Sequence, residues 1–224
     1  MLDVAIQSLD GRTVVDLGSR VAPPLPILPA LNGLLPGGLR RGSTVAVGGS
    51  VSLALALLGA ASTAGAWCAM VGMPTVCAEA AVEYGVDLSR LALVPSPEKG
   101  WVGTGWTTAV GALLDAVDIV VARPPARLVP GDVRRLAARV RTREAVLMPF
   151  GEWPGADVRL DAHDTAWEGI GHGSGRLRRR RVRVEAVGRG RYARPRSAAL
   201  WLPAAGGGVA ADEPIASMTR LAAG

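Results

Sequence analysis

Apolar runs of four to six residues alternate with longer, helix-forming stretches between Thr44 and Met148. Thr44–Val47, Trp67–Val71, Leu91–Val94, Val117–Ala122 and Ala145–Met148 read as strands. Ser52–Ala64, Val76–Tyr84, Thr107–Ala116 and Gly131–Arg143 read as the intervening helices. Strands that alternate with helices at this spacing predict a parallel sheet covered by helices on both faces. Past Met148 the pattern changes. Val158–Leu160, Arg180–Val187 and Ser197–Leu202 alternate or run β-branched between Gly-rich turns, and predict an antiparallel edge on the same sheet.

The flanks are less regular. Residues 1–20 suggest a short helix and a strand. Residues 21–29 carry Pro23, Pro24, Pro26 and Pro29, which exclude a helix interior and suggest an arm laid along the domain surface. Residues 204–224 open with Gly206, Gly207 and Gly208 and read as a tail, with a short helix over Pro214–Leu221. The resulting division is an N-terminal arm over 1–30, a core domain over 31–203 and a C-terminal tail over 204–224.

Composition changes this picture in three places. No charged residue falls between Arg41 and Glu79, but Gly59, Gly65, Gly72 and Pro74, with Ser52, Ser62 and Thr63, interrupt the run. A membrane span needs about 20 unbroken apolar residues, whereas parallel strands buried on both faces are also uncharged; no membrane partner is expected. With no basic segment leading into an apolar one at the N-terminus, a cytoplasmic protein is expected. Cys68 and Cys77 both have apolar neighbours and read as free, buried thiols.

The net charge is +6, and it is unevenly placed. Residues 176–196 hold ten arginines and a single acid, Glu185, a local charge of +9 against about −3 for the rest. Arg176, Arg178, Arg179, Arg180, Arg181 and Arg183 are candidates for contact with nucleic-acid phosphates, with an acidic protein partner, or with solvent alone on a charged edge strand. Trp101 and Trp106, in a Gly-rich stretch, and Trp153 are candidates to anchor a partner or to pack. His163 and His172, near Asp161 and Asp164, match no zinc spacing. No G-x-S-x-G turn makes any of the serines a nucleophile.

The segment Ser43–Leu55 is strand, glycine turn, helix, which is where a phosphate-binding loop would sit. Such a loop needs G-x-x-x-x-G-K-[ST]. Counted from Gly48, the second glycine falls on Leu53, the lysine on Ala54 and the hydroxyl on Leu55. The frame is present and its chemistry is absent.

The order of elements over residues 30–203 resembles the RecA family of recombinases. Gly37-Gly38-Leu39 before Gly42 is similar to that family's approach to its phosphate loop, and Tyr84-Gly85-Val86-Asp87 before Leu91 to the turn ahead of its third strand. Asp118–Val121 resembles the strand bearing its second acidic motif, and Val182–Pro195 its basic hairpin. The resemblance implies a RecA-like α/β fold, mainly parallel with an antiparallel C-terminal edge. The catalytic glutamate of that family falls on Met73 and the magnesium-binding aspartate on Arg123, so neither a catalytic residue nor a cofactor or metal is expected, and ATP hydrolysis is not. Arg189 and Arg191 match basic residues that reach a nucleotide across a subunit interface, and are grouped with the other candidate DNA or partner contacts.

A RecA-like chain without the catalytic set, and with an arginine-rich C-terminal half, is similar to ImuA-type mutasome accessory proteins in their actinobacterial form. That resemblance implies a non-catalytic adaptor of a DNA-damage-induced translesion synthesis complex. Its partners would be an ImuB-type inactive Y-family polymerase-like protein, an error-prone C-family DNA polymerase, and DNA. The alternative is a SulA-type division inhibitor, which binds the tubulin-like division protein.

Overall fold

A computed structural model describes residues 6–9, 12–15, 22–98, 100–171 and 174–212. Two short strands open the chain, β1 (Ile6–Leu9) and β2 (Arg12–Val15), paired as an antiparallel hairpin where a helix and a strand were expected. The core follows in alternation: β3 (Val45–Gly48), α1 (Val51–Thr63), β4 (Cys68–Val71), α2 (Ala78–Glu83), β5 (Leu91–Val94), α3 (Gly105–Ala116), β6 (Ile119–Ala122), α4 (Pro130–Arg143) and β7 (Val146–Pro149). The last part is all strand: β8 (Val158–Gly171), β9 (Ser174–Gly188), β10 (Arg196–Trp201) and β11 (Ala210–Ala211).

Strands β5-β4-β6-β7 form a parallel sheet in that order, and β11-β10-β9-β8-β3 a mixed one. Parallel bridges from Thr44 to Leu147 and from Val47 to Phe150 carry β3 onto β7, so the two sheets run on as one layer. The antiparallel edge starts one strand later than the sequence suggests. β8 pairs parallel to β3 on one side and antiparallel to β9 on the other, and β10 and β11 continue the antiparallel pairing.

Alternation along each strand divides the core. Val45, Val47, Cys68, Met70, Ile119, Val121, Val182 and Val184 face α1. Ala46, Val71, Val120, Ala122 and Leu147 face the opposite layer with Trp106 and Val110 of α3 and Leu136 and Val140 of α4. Helix α1 is apolar around its whole circumference because it is enclosed, with Leu53 to Leu58 each at most 1% exposed. Asp115 of α3 is bound by Arg139 and Arg143 of α4. Their guanidiniums hold its carboxyl below the usual carboxylate range, Arg139 by the larger share.

Residues 22–30 alternate between solvent and core, with Pro23, Pro24, Pro26 and Pro29 exposed. Leu25 and Ile27 are buried in the core, and Leu25 exchanges backbone hydrogen bonds with Leu39. Of the tail, β11 extends the sheet beside β10, while Pro214–Leu221 lies outside the described residues. No helix among the described residues is long and apolar enough to cross a membrane.

Candidate functional site

The turn after β3 is much tighter than a phosphate loop. β3 ends at Gly48 and α1 begins at Val51, so Gly49 and Ser50 alone make the connection. Ser50 is the N-cap, in extended conformation, and its Oγ accepts from Leu53 N–H at 3.3 Å. The helix therefore starts where a phosphate loop would still be wrapping its ligand, and uses a side chain of its own to satisfy a free N–H.

The space in front of this turn is filled from β8. Gly48 lies in register with Asp161, and a side-chain carbon on Gly48 would collide with the Asp161 carboxylate. Gly49, at φ +77°, lies so close to the Ala162 carbonyl that a Cβ would collide with it too. Asp161 is in turn bound by Arg159, whose Nη2 donates to Oδ1 at 3.0 Å and whose guanidinium also pairs with Glu152. That partnership raises the Arg159 pKa, Asp161 being the larger cause. Both glycines thus serve the approach of a neighbouring strand. The negative charge nearest the turn is the protein's own.

From the other side comes Arg180 of β9. Its Nη2 donates to Ser50 Oγ at 2.8 Å and its Nε to the Leu202 carbonyl at 2.8 Å. Leu53, Ala54 and Leu55 point into the core. Met73 is 6% exposed and packs in the α1-side cluster. Arg123 is exposed at the end of β6, with its guanidinium 4.8 Å from the centroid of the Phe150 ring. Asp118 lies at the other end of β6, where it accepts from Arg41 at 2.7 Å and from Trp67 N–H at 2.9 Å.

Two of the three tryptophan candidates are buried. Trp106 is in the first turn of α3, 1% exposed, and Trp153 is 7% exposed. Their rings meet at 6.0 Å, inclined by 48°. Neither is available to anchor a partner; they pack together between α3 and the short connection that follows β7. Trp101 is half-buried against the same cluster. The exposed tryptophans are Trp67 and Trp167, and the sequence reading singled out neither. The thiols also differ: Cys68 is buried, but Cys77 is exposed and donates to Glu79 Oε2 at 2.7 Å.

The arginine cluster is divided by the sheet. β8 and β9 are 14 and 15 residues long and form an antiparallel ribbon that continues past the rest of the sheet. Arg179 pairs with Glu168 at 2.7 Å and lies 3.9 Å from the Trp201 ring centroid. Arg181 pairs with Asp212 at 2.5 Å, and Arg183 is also engaged. Arg176 and Arg178 are exposed and have no hydrogen-bond or ion-pair partner among the described residues. Arg189 and Arg191 are elsewhere, beyond the C-terminal end of β9. They donate to the Gly155 and Pro36 carbonyls and line a cavity of about 410 Å³ with Arg40 and Asp157.

Residues 33–155 match the MT3502 N-terminal domain family. The chain belongs to that family. An uncharacterized Mycobacterium tuberculosis protein of similar sequence, Rv3395c, is 34% identical over 174 residues, which is 70% of this chain and 80% of the relative. Among solved structures, the RadB recombinase superimposes with a TM-score of 0.56 at 16% identity, over 81% of this chain and 96% of that one. This MT3502-family member therefore has a RecA-like fold, with its phosphate turn shortened and filled. The ribbon β8–β9 follows the family-matched region.

Proposed function

We propose that this protein is a non-catalytic RecA-like adaptor of the ImuA type. In this reading it acts in a translesion synthesis assembly through protein contacts, with an ImuB-type polymerase-like protein and an error-prone C-family polymerase as partners. The observation that carries the non-catalytic part is the filled turn. Asp161 and the Ala162 carbonyl stand against Gly48 and Gly49, and Arg180 holds Ser50. A nucleotide phosphate placed there meets a carboxylate and a carbonyl instead of converging N–H groups and a lysine. Phosphoryl transfer relies on positioned cations and metal, and the corresponding positions hold Ala54, Leu55, Met73 and Arg123.

The adaptor part rests on the resemblance to ImuA-type proteins and on a RecA-like scaffold kept intact around this turn. Two measurements test the reading. Titration calorimetry with Mg-ATP is expected to show no saturable heat; micromolar binding overturns the non-catalytic assignment. Co-expression with an ImuB-type partner is expected to give a complex that survives size-exclusion chromatography. Two well-folded proteins that elute apart overturn the adaptor assignment, and inhibition of tubulin-like division protein assembly would replace it with the SulA-type reading.

A further inference from the structure

The ribbon β8–β9 sorts its arginines by parity. Arg179 and Arg181 point to the side that carries Glu168, Trp201 and Asp212 and are engaged there, and Arg183 is engaged as well. Positions 176, 178 and 180 share the parity of the buried Val182 and Val184. Val182 and Val184 lie over α1, and Arg180 has reached the N-cap of that helix at Ser50. Beyond Arg180 the β8–β9 register is interrupted between Glu168 and Ile170, and Arg178 and Arg176 are exposed on the segment of β9 opposite that interruption.

On β8, Trp167 is the residue in register with Arg180, and Arg180 lies 5.5 Å from its ring centroid. Trp167 is 47% exposed. A Cβ on Gly169, two residues further along β8, would collide with the Arg176 carbonyl and come within 3.0 Å of Arg178 Cγ, so the Arg176–Arg178 segment runs directly beside this stretch of β8. Arg176 and Arg178 also line a groove of about 730 Å³ that runs between the ribbon and Ala205.

We infer that this end of the ribbon binds single-stranded nucleic acid, with Arg176 and Arg178 on the phosphates and Trp167 as a stacking platform. Two features favour this ligand over an acidic protein. Arg176 and Arg178 both line the groove beside Ala205, so two cations open onto one surface suited to a polyanion. A half-exposed indole on the same ribbon adds a surface on which any base can stack. The cations are also unspent: a surface guanidinium already paired with a carboxylate gains little from a phosphate, whereas Arg176 and Arg178 have no carboxylate partner among the described residues. The inference does not depend on the adaptor reading, since it concerns residues outside the filled turn.

The test is fluorescence anisotropy of the full chain with a labelled oligodeoxythymidylate, over about 50 to 200 mM salt. The wild type is expected to bind with affinity that falls steeply as salt rises. Arg176→Ala with Arg178→Ala is expected to weaken binding at low salt by about tenfold or more and to reduce the salt slope by about 1.4, roughly 0.7 per lost phosphate contact. Trp167→Ala is expected to weaken binding by about tenfold with the slope unchanged. Trp167→Phe is expected to keep binding. Arg179→Ala with Arg181→Ala, on the engaged side, is expected to change affinity by no more than about twofold, because those charges are already neutralised.

Four results overturn the inference: no binding at low salt, full affinity in the Arg176/Arg178 variant, full affinity in Trp167→Ala, or equal binding of the duplex of the same length. Displacement of the oligonucleotide by polyglutamate as efficiently as by unlabelled oligonucleotide also overturns it, in favour of an acidic protein partner. Thermal melts of each variant establish that losses come from the surface, and Trp167→Phe decides the stacking role if Trp167→Ala melts early.

Discussion

Arg180 and Ser50 lie 130 positions apart and share a hydrogen bond of 2.8 Å between the guanidinium and the hydroxyl. The contact joins the last strands of the fold to the first turn of its central helix. In doing so it commits the N-cap oxygen to a cation from the protein itself. Ser50→Ala is expected to cost about 1 kcal/mol through loss of the cap, and Arg180→Ala about 1–2 kcal/mol through its bonds to Ser50 and the Leu202 carbonyl. The double variant should cost less than the sum by about 0.5–1 kcal/mol, because the two share one bond. Urea denaturation of the four proteins checks this; strict additivity counts against the contact.

A lysine cannot be put back. Ala54 occupies the lysine position of a phosphate loop by count, but it is fully buried in α1. Ala54→Lys is expected to lower stability by about 3–5 kcal/mol, the cost of an unpaired buried charge, and to confer no Mg-ATP binding. Denaturation and calorimetry on the same sample decide the matter, and a stable, ATP-binding variant would contradict the geometry of α1.

Trp106 gives a contrast between shape and polarity. Its ring is 1% exposed, but its Nε1–H is buried with no acceptor among the described residues. Trp106→Ala is expected to cost about 3–5 kcal/mol from the cavity beside Trp153. Trp106→Phe should cost well under half of that, because the lost N–H was already unsatisfied. Equal losses would mean that the N–H has a partner after all.

The two thiols should separate cleanly. Cys77 is exposed, whereas burial, with a smaller contribution from Asp118, pushes the Cys68 pKa up to about 12. A disulfide reagent at neutral pH is expected to titrate one thiol in the folded protein and both after unfolding. Below pH 9 the Cys68 thiol is protonated in both states and adds no pH dependence. Above pH 9 the unfolded chain ionises while the folded one keeps its proton until about 12, so stability falls across that window. Denaturation of Cys68→Ala, relative to wild type, should lose that component of the alkaline decline.

Much of the architecture was legible because the signals were local. The strands from β3 to β7 are short uncharged runs with helices between them, and burial on both faces of a parallel sheet requires that composition. The misreadings occur where partners override local signal. After Leu160 the chain runs Asp161 to Gly171 with polar residues and glycines and no clear period. It is strand because β9 supplies a register for it, interrupted at His163–Ala166 and Glu168–Ile170. Trp106 stands among glycines and reads as a loop residue, but a cluster from α4 and β6 draws it into α3. Leu25 and Ile27 lie among prolines, and their burial depends on pairing with Leu39.

What the sequence determined by itself is which side chains stand at the positions of the RecA-family nucleotide motifs. Ala54, Leu55 and Met73 bring neither charge nor oxygen to those positions, and Arg123 brings a cation where the RecA-family pattern has a carboxylate, whatever the fold does with them. Only the tertiary structure decided what took that place, and which arginines remain available. A residue type limits what a position can bind, and that limit is readable one letter at a time. Whether Asp161 lies on Gly48, or Glu168 neutralises Arg179 while Arg178 has no such partner among the described residues, depends on strand register. Register is set by the packing of two β-strands against each other and against α1, and no single stretch of sequence carries it.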